Sequence, residues 1–221
     1  LMLSSLALFI YGLVVAEYFL VLAAVLIYFF YPIILETLLN IYAKCSFDQK
    51  QYIHHLTKRK LALTKVTHPI VYHPRYNVTA GGVEKLHPFD SQKYGKIFRF
   101  LTSKNLITAD SIHSPTDPTR AMLLSVHGPF HLFKLCYSLY ISKCVEVPVF
   151  LLPGSVLRWR LLDPMLLATQ GTIDAGLLAL DRGWAINLSG GYHHASAHCG
   201  GGFCIYSDIT LCIRHLQTYC A

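Results

Sequence analysis

Trp184 to Tyr206 reads WAINLSGGYHHASAHCGGGFCIY, and this stretch decides how the rest of the chain is understood. A short apolar run, Trp184 to Leu188, ends at Gly190-Gly191. His193 and His194 follow, then Gly200, Gly201 and Gly202, then Phe203. Four to eight apolar residues bounded by glycine predict a buried strand, and in α/β folds the residues that handle ligands sit just beyond the carboxyl ends of strands. Imidazole titrates near neutral pH, so adjacent histidines offer a general base beside a second proton-handling group. Gly191 before the pair and Gly202 after it let backbone come close to a substrate where a Cβ would obstruct it. Taken alone, a His pair in a loop is more often a solvated cap than a catalytic dyad, so the surrounding pattern has to decide.

Moving outward, Gly171 to Arg182 places Ile173, Leu177 and Leu180 on one helical face and stops at Gly183. Beyond the glycines a helix opens at Ser207-Asp208, with Ile209, Cys212, Ile213 and Leu216 at helical spacing. Helix, strand, loop and helix in that order predict a βα repeat and a parallel sheet. His68 to Tyr72 reads as a first strand, with proline tolerated near its start and β-branched residues after it. Asn77, Gly81 and Gly82 mark a loop, Asp90 is a candidate N-cap, and Tyr94, Ile97, Phe98 and Leu101 predict a helix to about Thr102. Between Asn105 and Gly154, Ser114-Pro115, Asp117-Pro118 and Gly128-Pro129 are turn signals, and Pro148 demotes a strand over Val145 to Leu152.

GGYHH, GGGFC and the helix after them resemble the histone deacetylase family, most closely its class IV branch. Two upstream segments are similar as well: HPIVYHPRYNVTAGGVEKLHPFDSQKYGK from His68 to Lys96, and QGTIDAGLLALDRGWAINL from Gln170 to Leu188. The resemblance covers Thr67 onward. It implies the α/β fold of the arginase/deacetylase superfamily with a partial parallel sheet, and zinc-dependent hydrolysis of acyl-lysine on a histone or another protein. In class IV it further implies a preference for long fatty acyl groups. By the same resemblance His194 is the base that takes a proton from metal-bound water, and His193 hydrogen-bonds that water or the developing oxyanion. Phe203 lines the acyl-lysine channel, the Gly202 carbonyl meets the substrate amide, and Gly191 and His87 border the site. For His87 a loop histidine fixed by Pro88 is an equal reading, and for Phe203 without the family context core packing is the commoner one.

Three departures qualify that picture. The family's zinc ligands are two Asp and one His, with the first Asp and the His in an Asp-x-His motif on a later strand, and no Asp-x-His occurs in these 221 residues. His198, Cys199 and Cys204 lie near the pair, but C-x4-C with scattered histidines is not a zinc spacing, so no metal ligand is assigned. Val126-His127-Gly128-Pro129-Phe130 stands where the family has a His followed by polar and basic residues and an aromatic, and Gly-Pro is expected to break the helix there. With the family's oxyanion tyrosine also lying further on, the chain reads as the amino-terminal part of the domain.

Ahead of that domain the composition changes. The chain is 53% hydrophobic and 14% charged, yet residues 1 to 43 hold no Lys or Arg and only two acids, Glu17 and Glu36. Tyr18 to Leu35 is uncharged, and a bilayer core of about 30 Å takes roughly twenty helical residues, so a single membrane span over residues 12–35 is predicted. A signal peptide lacks its basic start and cleavage site here, and a buried core helix is the other alternative. Lys44, Lys50, Lys58, Arg59, Lys60 and Lys65 follow and place the domain on the cytosolic side of a membrane, with the nucleus as the location the family resemblance suggests. The organisation is then an anchor over 1–43 in contact with lipid, a basic linker over 44–66, and the deacetylase-like part over 67–221. The formal net charge of +7 carries no DNA-reading motif, so no direct nucleic-acid partner is expected, and seven cysteines without a pattern fit reduced thiols.

Overall fold

β-Branched Ile70 and Val71 favour extended backbone, and they form β1 (Ile70–Val71). It pairs in parallel with β2 (Ile186–Asn187), Ile70 opposite Ile186 and Val71 opposite Asn187. The computed structural model describes residues 15–16, 18–26, 30–31, 34, 38, 67–79, 82, 84 and 90–220. Two compact units divide the chain, Leu1–Cys45 and Ser46–Ala221, and the second carries the elements below. Parallel strands need a long crossover. Here it is made of α1 (Lys93–Ser103), α2 (Arg120–Leu124), α3 (Pro129–Lys134), α4 (Ser138–Val145), α5 (Gly154–Leu157), a π-helical turn (Arg158–Leu162) and α6 (Asp163–Arg182). After β2 comes α7 (Asp208–Cys220). A parallel bridge from His113 extends the sheet past the other edge of β1. The result is an α-rich α/β fold with a small parallel sheet.

α6 is the spine. Met165, Leu167, Ala168, Ile173, Leu177 and Leu178 are buried, and so are the polar Thr169, Gln170 and Asp174, so the helix is enclosed around most of its circumference. Burying each large aliphatic side chain contributes about 1.5–3 kcal/mol. Gly176 lets α7 approach, since a Cβ there would lie 2.5 Å from the Cys212 sulfur. Gly171 has an equally strict role, because a Cβ at that position would run into the Tyr76 hydroxyl and come within 2.8 Å of Asn187 Oδ1.

Several expectations change. The strand after α6 was expected to be buried, yet Trp184 is 54% and Ile186 49% exposed. Among the described residues β2 has a strand partner only on its β1 side. α7 opens where predicted, and Cys212 and Leu216 of the predicted face pack towards Gly176 of α6, whereas Ile209 and Ile213 are 43% and 52% exposed and Asp208, Leu211 and His215 are buried instead. Apolar spacing missed part of the buried face because Asp208 and His215 are polar. Gly128-Pro129 does interrupt the helical region, and it also starts α3, with Gly128 at the N-cap and Pro129 in the first turn, where the missing proline N–H costs nothing. Asp90 caps the turn into α1, accepting the Gln92 N–H at 3.0 Å and Lys96 Nζ at 2.6 Å.

The membrane anchor is overturned. Among the described residues no helix is long and apolar enough to cross a membrane. The single-pass span, the lipid contact through residues 12–35 and the placement of the domain beside a membrane go with it. The remainder of 1–43, and the basic linker over 44–66, lie outside the described residues.

Candidate active site

The loop from Ser189 to Ser207 is held from below by one carboxylate. Asp208, the first residue of α7 and fully buried, accepts the N–H of Gly191 at 2.7 Å on Oδ2 and the N–H of Tyr192 at 2.7 Å on Oδ1. Thr172 of α6 donates its hydroxyl to the same Oδ2 at 2.6 Å. A negative charge at a helix N-terminus is favoured by the helix dipole. Thr172 in turn accepts from Asn187 Nδ2, which also donates to the Ala168 carbonyl, while Asn187 Oδ1 accepts the Tyr76 hydroxyl at 3.0 Å. The network therefore runs from the turn after β1, through β2 and α6, to the loop and α7. Gly190, at φ +89°, is required here: a Cβ would strike the Thr172 hydroxyl and Asp208 Oδ2.

On this base stand His193 and His194, both exposed, with ring centroids 4.2 Å apart and planes inclined by 39°. His193 is tied back to Gly191, whose carbonyl accepts its N–H at 2.9 Å and lies 3.0 Å from Nδ1. That contact assigns the Nδ1 proton and leaves Nε2 as the free acceptor. Gly202, at φ +53°, packs against the His194 ring; a Cβ there would lie 2.6 Å from Cδ2. Gly202 donates its N–H to Glu146 Oε1 at 2.9 Å, and Glu146 itself holds the left-handed position after α4. Phe203, also left-handed at φ +61°, donates its N–H to the Cys144 carbonyl at 3.1 Å. Strain of this kind in a non-glycine residue survives only where the surroundings fix it.

The loop thus brings Gly191, His193, His194, Gly202 and Phe203 together. The Phe203 ring is 8% exposed within the core, and the Gly202 carbonyl is approached by the Cys204 thiol at 3.4 Å. His87 lies outside the described residues. Among the described residues no group of three or more His, Cys, Asp or Glu is placed to hold a metal ion. His198 and Cys199 are exposed, and burial pushes the Cys204 thiol up, away from the thiolate a metal would need. The residues present do not form a zinc site.

Two histidines lie buried behind the loop, His127 from the departing Val126-His127-Gly128-Pro129-Phe130 segment and His131 beyond it, and their burial is not foreseen from the sequence. His127 is 1% exposed and its Nε2 accepts the Ser207 N–H at 3.0 Å, so the proton sits on Nδ1, which has no hydrogen-bond partner. His131, equally buried, donates from Nε2 to the Ile205 carbonyl and accepts from the Tyr140 hydroxyl at Nδ1, 2.8 Å away. Elsewhere, His113 Nε2 meets Asp174 Oδ2 at 2.8 Å, and Gln170 donates to the other oxygen of that carboxylate. The partners lie too far apart in sequence for spacing to reveal them.

His127 makes stability depend on pH. Burial first, and the neighbouring His131 second, lower its pKa to about 4 from the ordinary 6.5. The unfolded chain then takes up a proton that the native state refuses between these values. Stability is full above about pH 6.5 and falls as the pH drops towards 4, by about 3 kcal/mol in total. Urea midpoints across that window are expected to show the loss, and His127→Gln, whose amide oxygen can still accept from Ser207, is expected to flatten it.

The family described as Histone deacetylase domain matches residues 87–221. Histone deacetylase 2 of Arabidopsis thaliana is 41% identical over 153 residues, 69% of this chain and 39% of that protein. An uncharacterized protein of Picosynechococcus sp. is 34% identical over 149 residues, 67% of this chain and 47% of its own length. The chain therefore spans less than half the length of these two relatives. A match that takes in the carboxylate base, the paired imidazoles, the glycine frame and α7, across more than half of the 221 residues, establishes that this chain belongs to the histone deacetylase family.

Proposed function

We propose that these residues form the proton-handling part of a protein lysine deacylase of the class IV kind, acting on acyl-lysine in a histone or another protein. The observation that carries this reading is the His193-His194 pair, packed against Gly202 and seated on the Asp208 network. His194 takes a proton from the attacking water, and His193, its Nδ1 proton directed at Gly191, presents Nε2 to the same water. Gly202 and Gly191 admit the substrate backbone, and Phe203 and His87 border the acyl-lysine stem. Zinc, the cofactor that the family resemblance implies, would supply the acidification of that water and the polarisation of the amide carbonyl. The described residues include no group of His, Cys, Asp or Glu placed to hold it.

A second reading, a catalytically silent fragment that keeps part of the fold, is favoured by the missing metal cluster alone. The discriminating experiment gives the full-length protein a fluorogenic acyl-lysine peptide. Hydrolysis that stops on chelation and returns with added zinc is the expected result. If the full-length protein neither turns over the peptide nor retains a divalent ion on dialysis, the silent reading replaces the enzymatic one.

A further inference from the structure

Away from the histidine pair, a cavity of about 660 Å³ opens between α2, α3, the π-helical turn and the start of α6. Pockets of roughly 300–1,000 Å³ are the usual size for small ligands. Leu132, Leu135, Leu162 and Leu166 give it apolar walls, and Arg120 and Arg158 stand exposed at its rim. Its buried polar feature is Tyr206, 5% exposed, whose side chain faces the cavity within electrostatic reach of Arg158 and Asp163. Among the described residues Arg120, Arg158 and Asp163 form no ion pair. Exposed guanidinium groups beside apolar walls present donors that a carboxylate can take up. The π-helical turn (Arg158–Leu162) is a second independent sign, because such turns are rare and concentrate at functional sites.

We infer that this cavity binds a small carboxylate with a compact apolar body, its carboxylate held by the guanidinium groups of Arg120 and Arg158 and by the Tyr206 hydroxyl. Two cationic side chains against the single carboxylate of Asp163 favour an anion, and the leucine walls exclude a fully hydrated one. A planar guanidinium matches a carboxylate with paired hydrogen bonds, which a lysine could not supply in the same geometry. Tyr206 stands three residues beyond Phe203, and its neighbour Ser207 donates to His127, so an occupant touches the segment that joins the glycine loop to α7.

The test is calorimetric titration of the whole chain with 2-naphthoate and with neutral, nearly isosteric 2-naphthamide, independent of any deacylase assay. Naphthoate is expected to bind about tenfold or more tightly than the amide. Arg158→Gln is expected to weaken naphthoate about tenfold and leave the amide unchanged, Tyr206→Phe to weaken naphthoate a few-fold, and Ser155→Trp, an exposed lining position, to block both by filling the space. Equal affinity for the two compounds, binding of neither, or naphthoate affinity unmoved by Arg158→Gln combined with Arg120→Gln overturns the inference. The comparison of two ligands on the unaltered chain holds even if a variant fails to fold.

Discussion

His194→Ala in the full-length protein is expected to lower acyl-lysine turnover by about 10²–10⁴-fold, the usual contribution of a positioned general base. The ring stands exposed at the loop tip, so its loss leaves no hole in the core, and stability is expected to stay within about 0.5 kcal/mol. The loss should fall on kcat with little change in KM, since the proton moves in the transition state and the imidazole adds little to ground-state binding. Gly202→Ala supplies an independent check. Its Cβ would lie 2.6 Å from His194 Cδ2, so the ring must move, and a loss of turnover comparable to a misplaced base is expected without any change to the imidazole itself. Turnover that survives His194→Ala would remove the base from this loop altogether.

Why the loop was legible, and its foundation was not, follows from the kind of signal each left. Paired histidines between glycine clusters are local, and the positive φ at Gly190, Gly191 and Gly202 is the backbone requirement those glycines announce. The parallel pairing of β1 and β2 was legible too, because helix, strand, loop and helix admit few other arrangements. What remained hidden depends on polar groups turned inward. Asp208, His127, His131 and Asp174 are charged or titratable by type, and reading by hydrophobic spacing places such residues outside. The same bias hid Asp208 and His215 on the buried side of α7. A local trace of Asp208 did exist, in the Ser-Asp that opens a helix directly after a glycine-rich loop, but nothing in that dipeptide says that its carboxylate serves residues 16 and 17 positions earlier. The amino-terminal anchor rested on apolar content alone, and among the described residues no helix is long and apolar enough to cross a membrane.

Asp208→Ala is expected to be the most damaging single change in the loop's foundation, destabilising the full-length protein by about 3–5 kcal/mol. A fully buried carboxylate accepts three donors here, the N–H groups of Gly191 and Tyr192 and the Thr172 hydroxyl. Hydrogen bonds to a charged acceptor contribute about 1.5–3 kcal/mol each, and their loss leaves buried donors unsatisfied. Alanine supplies no replacement and opens too little space to admit ordered water to all three donors. Asp208→Asn keeps one oxygen but turns an N–H₂ towards a donor, so roughly half the damage is expected to remain, while Thr172→Val removes a single donor and should cost about 1 kcal/mol. Urea unfolding measures these losses as shifts in midpoint at constant slope. Hydrogen exchange locates them, because the Gly191 and Tyr192 amides are expected to lose protection before those of α6. If Asp208→Ala leaves both amides protected and the midpoint unchanged, the carboxylate is not what holds the paired histidines in place, and their spacing must come from the Gly202 side of the loop alone.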